Sequence, residues 1–279
     1  MRSVTAEQAS VERAATYLRR CKYHSPRIAL VLGSGLDSIM HQAQVELEVR
    51  YTDVPGLPTR PDGVGVAGHA GRLTYCQLAG VPLLVLRGRW HYYEGYPMEE
   101  VTRYVRVLHA LGVEQLVLTN ASGGVNPSFR PGDLMLITDH INLMPNPLIG
   151  PNDDTLGPRF PTMHAAYDPT ALERARKAAL HTGVTLHEGC YLGTTGPCYE
   201  TPHEYHFYHT VGADAVGMST VPEVIVANHC GMKVLAFSMI SNVGGLQHQE
   251  ALSHDEVQAV GAKASSNLAQ LLVELLPQL

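Results

Sequence analysis

Short, continuously apolar runs recur along this chain, separated by glycine-rich turns and by stretches with helical periodicity. Ile28-Ala-Leu-Val-Leu32 is the first run, and it breaks into Gly33-Ser34-Gly35. Similar runs occupy Val81–Leu86, Leu116–Thr119, Leu134–Thr138, Ala213–Val216 and Val234–Ile240. A segment apolar at every position has no solvent face, so each predicts a strand buried on both sides, as in a parallel sheet. Helical patterns lie between several of them. Val11, Ala14, Ala15 and Leu18 fall at i, i+3, i+4 and i+7, and Thr5 with Gln8 predicts a capping box there. Glu99–Leu111 predicts a helix closed by Gly112. Asp168-Pro169 predicts an N-cap and first turn, with the helix reaching about His181. Boxes pairing Thr201 with Glu204, Thr220 with Glu223 and Ser253 with Glu256 predict three more helix starts. The last helix carries Val257, Val260, Ala264 and Leu268 on one face.

Strands alternating with helices predict an α/β fold with a mixed, mostly parallel central β-sheet flanked by helices. No linker, repeat or low-complexity stretch divides the chain. The expectation is one domain over residues 1–279, with a helix within residues 1–25 packed on it. Val54–Gly71 and Asn142–Pro161 are long Pro-, Gly- and Asn-rich loops, of the kind that form lids or interfaces.

Composition narrows the function classes. The 279 residues are 45% hydrophobic and only 16% charged, which excludes wholesale disorder. Net charge is −6, and no basic tract exceeds Arg19-Arg20, so nucleic acid and anionic membranes are not expected partners. The five cysteines are odd in number, widely spaced and lack a CxxC pair, which points to a reducing compartment. No apolar leader or membrane-length run occurs, so the expected location is the cytoplasm.

Candidate chemistry clusters where apolar runs end. Gly33-Ser34-Gly35 suits an anion site or an ordinary strand-end turn. It lacks the third glycine of a dinucleotide loop, since position 38 is Ser38, and the flanking glycines of a hydrolase elbow. Arg87, Arg89 and His91 crowd five residues of a charge-poor chain, which suits phosphate binding, with Glu94 placed to orient His91. A solvated loop with a surface ion pair is the plainer reading. Thr119-Asn-Ala121-Ser-Gly-Gly124 supplies small residues that admit a ligand close to the backbone. Ser219 precedes a helix start, where free N–H groups favour anions. Tyr199 and Glu200 put an aromatic and a carboxylate together, as a heterocycle with N–H donors requires. Asn242 ends the last strand. His203, His206 and His209 spread over roughly 120° of a helix surface, which fits a solvated face better than a metal site.

Taken together, these segments resemble the trimeric purine nucleoside phosphorylases. The matching stretches are Leu32–Leu36, Gly68–Gly71, Gly88–Gly95, Thr119–Gly124, Asp139–Asn142, Gly196–Glu200 and Gly212–Glu223, in family order. The resemblance implies phosphate-driven cleavage of purine (deoxy)ribonucleosides, with 6-oxopurines such as inosine and guanosine preferred. No cofactor or metal is implied, inorganic phosphate being a co-substrate. By position, Ser34, Arg89, His91, Ala121 and Ser219 would hold phosphate. Tyr93, Met218 and His254 would hold ribose. Tyr199, Glu200, Val216 and Asn242 would surround the base, with His91, Glu200 and Asn242 carrying the catalysis. Phe160 would enter a neighbouring subunit's site in a homotrimer. Tyr199 stands where many members have Phe. Two alternatives remain: 5′-methylthioadenosine phosphorylase, which normally carries Asp at the Asn242 position, and a non-catalytic nucleoside-binding protein of the same fold.

Overall fold

A computed structural model of the chain describes residues 4–21, 26–59, 69–246 and 254–279. In chain order the main elements are α1 (Val4–Arg20), β1 (Ile28–Leu32), β2 (Gln44–Arg50), β3 (Arg72–Leu78), β4 (Val81–Arg87) and α2 (Met98–Ala110). They continue with β5 (Gln115–Gly124), β6 (Leu134–Asn142), α3 (Pro169–Thr182), β7 (Leu186–Gly193) and α4 (Pro202–Thr210). The remainder are β8 (Ala215–Gly217), α5 (Val221–His229), β9 (Lys233–Val243) and α6 (His254–Leu275).

Among the described residues, nine strands form one mixed sheet in the order β2-β3-β4-β1-β5-β8-β7-β6-β9, and β9 also pairs with β5. The strands from β5 to β9 therefore close into a ring. Within it, β5 is shared: it pairs in parallel with β9 along its length, with β1 at its first residues and with β8 at Gly123 and Gly124. The line β4-β1-β5-β9 is parallel throughout, so the carboxyl ends of these four strands share one end of the molecule. Parallel strands with both faces covered need side chains that are apolar all round. Ile28–Leu32 is buried at every position, and so is the first half of β5. The antiparallel ladders are β2–β3, β3–β4, β5–β8 and β6–β9.

Three strands, β2, β3 and β7, have no counterpart among the apolar runs. β2 lies at the sheet edge with an exposed or half-buried pattern and carries Glu46, Glu48 and Arg50. Charges on an edge strand block further pairing, and the same charges hide the strand from a search for apolar runs. β7 carries His187, Glu188 and Gly189 and gives no such run either.

Helix boundaries follow local chemistry in most places. The Asp168 carboxylate accepts from Ala171 N at 2.8 Å, and Pro169 opens α3. Thr201 and Glu204 form the expected reciprocal box at α4. Gly112 takes φ +92° just past α2, a left-handed conformation that glycine adopts freely. α1 begins at Val4, which puts Thr5 inside the first turn rather than at the cap. Ser253 lies outside the described residues, and with it the expected box at α6. α1, α2 and α5 pack in one group, and α3 with α6 in another. Across α1 and α2, Arg103 holds Glu7 in a nearly buried pair at 2.8 Å. Cys21, Cys76, Cys190, Cys198 and Cys230 are all unpaired. Among the described residues no helix is long and apolar enough to cross a membrane.

Candidate active site

The carboxyl ends of β1, β4, β5, β8 and β9 surround one cleft, as the crevice rule for α/β sheets leads one to expect. Ser34, Arg89, His91, Tyr93, Ala121, Tyr199, Glu200, Val216, Met218, Ser219 and Asn242 all line it. Two residues singled out from the sequence are not among them. Phe160 lies elsewhere and is 88% exposed, beside a second cavity lined by His140, Ile149 and Met163. His254 is the first residue of α6, but its side chain lies outside the described residues.

One end of the cleft is built on a buried ion pair. The Arg89 Nη1 lies 2.9 Å from Glu223 Oε1, and both side chains are about 99% buried. Arg89 also donates to the Thr119 carbonyl and, at 3.4 Å, to Thr220 Oγ1. Three of the guanidinium's five N–H groups are thus committed to protein, leaving the others for an anion. Burial alone would lower the Arg89 pKa, but Glu223, with Tyr104 and Tyr191, offsets it and holds the value above the usual range. Arg87, two residues earlier, turns away to Asp37 and Glu48 and does not line the cleft.

The expected capping box at Thr220–Glu223 does not form. Thr220 makes no side-chain cap and sits at φ +71°, ψ −53°. Val221 N donates to Ser219 O at 2.8 Å, which closes a γ-turn about Thr220. A β-branched residue is strained there and needs surrounding bonds to hold it. Asn120 Nδ2 supplies one at 2.8 Å, Arg89 a second, and Ser219 Oγ lies 3.1 Å away. Asn120 is itself fixed by Ser238 Oγ at 2.6 Å. Glu223 meanwhile serves Arg89 and accepts from Tyr104 Oη at 3.0 Å. The tight turn leaves Ser219 in the cleft wall.

His91 is buried against Glu94, whose Oε1 lies 3.1 Å from Nδ1 and 2.8 Å from the backbone N. Burial pushes the His91 pKa down, and Arg89 adds to this; Glu94 only partly restores it. The imidazole is therefore held toward its neutral form. His69 stacks on His91 at 5.2 Å, and His91 on Tyr93 at 4.8 Å. His69 Nε2 also lies 3.3 Å from Ser34 Oγ, so the glycine turn after β1 joins this cluster. Gly33 is required there by space: a Cβ would come within 2.7 Å of the Asn120 Cα.

The opposite end carries Glu200 and Asn242. Burial raises the Glu200 pKa, while the hydroxyls of Tyr205 and Thr194 act in the other direction. Asn242 Nδ2 donates to Tyr205 Oη at 3.1 Å, and Ser241 Oγ donates to Asn242 Oδ1 at 2.8 Å. Gly123 lies between Val216 and Asn242 in the sheet register. An end carrying Arg89 and His91 thus faces a hydrogen-bonding edge carrying Glu200 and Asn242. Among the described residues no group of three or more potential ligands could hold a metal ion. His203, His206 and His209 are exposed on α4.

A family model for the phosphorylase superfamily matches residues 27–277. The chain belongs to the phosphorylase superfamily. It is similar to purine nucleoside phosphorylase 1 of Bacillus subtilis (strain 168), with 49% identity over 269 residues, 96% of this chain and 98% of that one. The purine nucleoside phosphorylase of Rattus norvegicus is 44% identical over 277 residues, 95% and 94% of the two chains. A schistosoma purine nucleoside phosphorylase solved with hypoxanthine superposes with a TM-score of 0.91 at 35% identity, covering 99% of both chains. A Schistosoma mansoni purine nucleoside phosphorylase solved with adenosine gives the same score, covering 98% of each.

Against this superfamily background, His69, Tyr205, Glu223 and Asn120 are the site residues that motif reading passed over. His69 sits in the matched Gly68–Gly71 stretch and was legible there. Glu223 was seen but given a capping role. Tyr205 carries no motif at all, being one more aromatic on a short helix.

The Arg89–Glu223 pair generates a stability prediction. Removing one partner of a buried pair strands the other charge and costs about 3–5 kcal/mol. Glu223→Ala should lower the melting temperature by several degrees, and Glu223→Gln by less because it keeps hydrogen-bonding atoms. Calorimetry showing Glu223→Ala within about 1 °C of the parent would remove the pair from the list of structural necessities.

Proposed function

We propose that this enzyme cleaves the N-glycosidic bond of purine (deoxy)ribonucleosides with inorganic phosphate, releasing free purine base and α-D-(deoxy)ribose 1-phosphate, and prefers 6-oxopurines. The observation that supports it most is a single cleft with Arg89 and His91 at one end and Glu200 and Asn242 at the other. Names of relatives over nearly the whole chain point the same way.

Glycosidic cleavage passes through an oxocarbenium-like state, positive on the sugar and negative on the departing base. Phosphate is the nucleophile, so the protein needs none of its own. Its work is to position three groups and to stabilise a leaving anion. In this reading Arg89, Ser34, Ser219, His91 and the Ala121 N–H hold phosphate. An arriving dianion favours the protonated His91, so binding draws a proton onto an imidazole otherwise kept neutral. Tyr93, Met218 and His254 hold the ribose, and Tyr199 and Val216 flank the base. Glu200 accepts from purine N1–H, and Asn242 donates toward O6 or N7 as negative charge grows there.

Inosine should therefore yield hypoxanthine only when phosphate is supplied. His91→Ala should raise the KM for phosphate and lower turnover. Arg89→Ala should do the same, with added instability because Glu223 is left unpaired. Release of hypoxanthine at equal rates with and without phosphate would sink this reading.

Base choice follows from the same edge. Adenine presents a bare N1 and a 6-amino donor, reversing both contacts. A mispaired buried polar group costs about 1–3 kcal/mol, or roughly 5- to 150-fold per contact. Inosine and guanosine should exceed adenosine in kcat/KM by at least that range. Asn242→Asp should shift the preference toward adenosine, and an unchanged ratio would show that Asn242 does not discriminate.

We further infer a homotrimer in the cytoplasm. The exposed Phe160 and Ile149 support a covering neighbour, and the five unpaired cysteines support a reducing compartment. Phe160 does not line its own chain's cleft, so only a second copy could bring it to one. Sedimentation should give three chains, and Phe160→Ala should raise the nucleoside KM. A fully active monomer is the result that contradicts this.

A further inference from the structure

Tyr205 is a group that neither motif nor charge marks, and the sheet is shaped around it. Its ring is 4% exposed on α4. A Cβ at Gly123 would come within 2.4 Å of its Oη, and one at Gly244 within 2.2 Å of its Cε2. Two glycines, one on β5 and one just past β9, thus leave the room the ring occupies. The hydroxyl accepts from Asn242 Nδ2 at 3.1 Å, and Tyr205 and Glu200 line the same cleft, each altering the other's proton affinity. A phenol has one proton to give. It can donate to Glu200 while accepting from the amide, or donate to the amide and abandon Glu200.

We propose that Tyr205 is a positioning residue that couples the Glu200 carboxyl to the Asn242 amide, so that the two base-reading groups change state together; the inference rests on the purine reading above. With Glu200 ionised, Tyr205 donates to it and receives one Nδ2–H. The second Nδ2–H is left for a purine O6 or N7, and the carboxylate is left for N1–H. That is the 6-oxopurine arrangement. Reading a 6-aminopurine requires the amide to turn, which puts Oδ1 against Tyr205 Oη and toward the base. Tyr205 must then donate to Oδ1 and withdraw from Glu200. Glu200 loses its donor as it comes to face a bare N1, and it takes a proton from solvent to serve that nitrogen. Ser241 does not choose between the states. Its hydroxyl donates to Oδ1 in one, and in the other it can turn to the Ser122 carbonyl, 3.0 Å away, and accept from Nδ2. The decision lies with the single proton of Tyr205.

The titratable groups that face Glu200 are Glu204, Tyr205 and Tyr208 on α4 and the adjacent Tyr199. Glu204 and burial both favour the protonated carboxyl. The adenosine-to-inosine ratio of kcat/KM should therefore rise as pH falls through the raised Glu200 value. Removing the Tyr205 hydroxyl takes a donor from the carboxylate, so the rise should begin at higher pH.

Tyr205→Phe keeps the ring that Gly123 and Gly244 accommodate. Inosine and adenosine kcat/KM and the phosphate KM are measured from acid to neutral pH for wild type, Tyr205→Phe and Ser241→Ala. In Tyr205→Phe the phosphate KM should hold, inosine should lose more than adenosine, and the selectivity should narrow about tenfold. Ser241→Ala should leave the ratio near that of wild type. Equal loss on both nucleosides, or an unmoved pH profile, overturns the coupling. If Tyr205→Phe folds poorly, a wild-type ratio that is flat with pH overturns it instead. A wild type that releases no hypoxanthine from inosine and phosphate defeats the parent reading, and the coupling with it.

Discussion

A guanidinium fully buried at the end of a strand needs a carboxylate beside it. Desolvating the charge alone would cost far more than the net stability of a domain. Arg89 and Glu223 meet this constraint, and much of the cleft is arranged around meeting it. Glu223 comes from the first turn of α5, so α5 must start within reach of the β4 end. The chain before α5 must then turn sharply, which it does at Thr220. That turn is strained, and the strain is held by Asn120 and Arg89 from neighbouring strands. Ser219 faces the cleft as a result. One ion pair thereby ties together β4, β5 and α5, and it leaves a positive group at the cleft floor.

The sheet topology explains why these parts can meet. The parallel line β4-β1-β5-β9 brings four carboxyl ends to one place. The ring from β5 to β9 brings β8 beside β5 at the same level, at Gly123 and Gly124. Residues far apart in sequence, such as Arg89, Ala121, Val216 and Asn242, become neighbours through register alone. The phosphorylase-superfamily match, residues 27–277, takes in every strand of this sheet.

What the sequence made legible was the parallel core and the motif-bearing strand ends. Ile28–Leu32 and Val81–Leu86 read as strands because every position is apolar; the first is buried throughout and the second over Leu83–Leu86. β5 and β9 were read too short, since Asn120–Gly124 and Ser241-Asn242 are polar or small and look like loops. Those polar extensions belong to the cleft, so the misreading falls where the sheet stops being core and starts serving a ligand. β2 was missed because its charges answer to an exposed edge. The Thr220–Glu223 pair was read as a cap because its spacing is right for one. Spacing cannot report that a buried arginine, 134 residues away, makes a stronger claim on the carboxylate. Tyr205 was invisible for a related reason: its importance lies in two glycines that make room for it, each of which has another plausible role in isolation.

The two ends of the cleft are held at a set separation by a single strand. Arg89 is fixed to the carbonyl of Thr119, and the base edge is fixed about Gly123, between Val216 and Asn242. Four residues of extended chain separate these points, which at about 3.3 Å per residue is roughly 13 Å. That span suits an anion, a sugar and a planar base laid end to end. Along this stretch β5 is laddered to β9, which fixes the rise between the two points. Selection by length is therefore rigid, and adjustment is confined to the end groups, where hydroxyls and an amide can still rotate. On the proposed reading, the choice between bases falls to proton placement rather than to movement of the backbone.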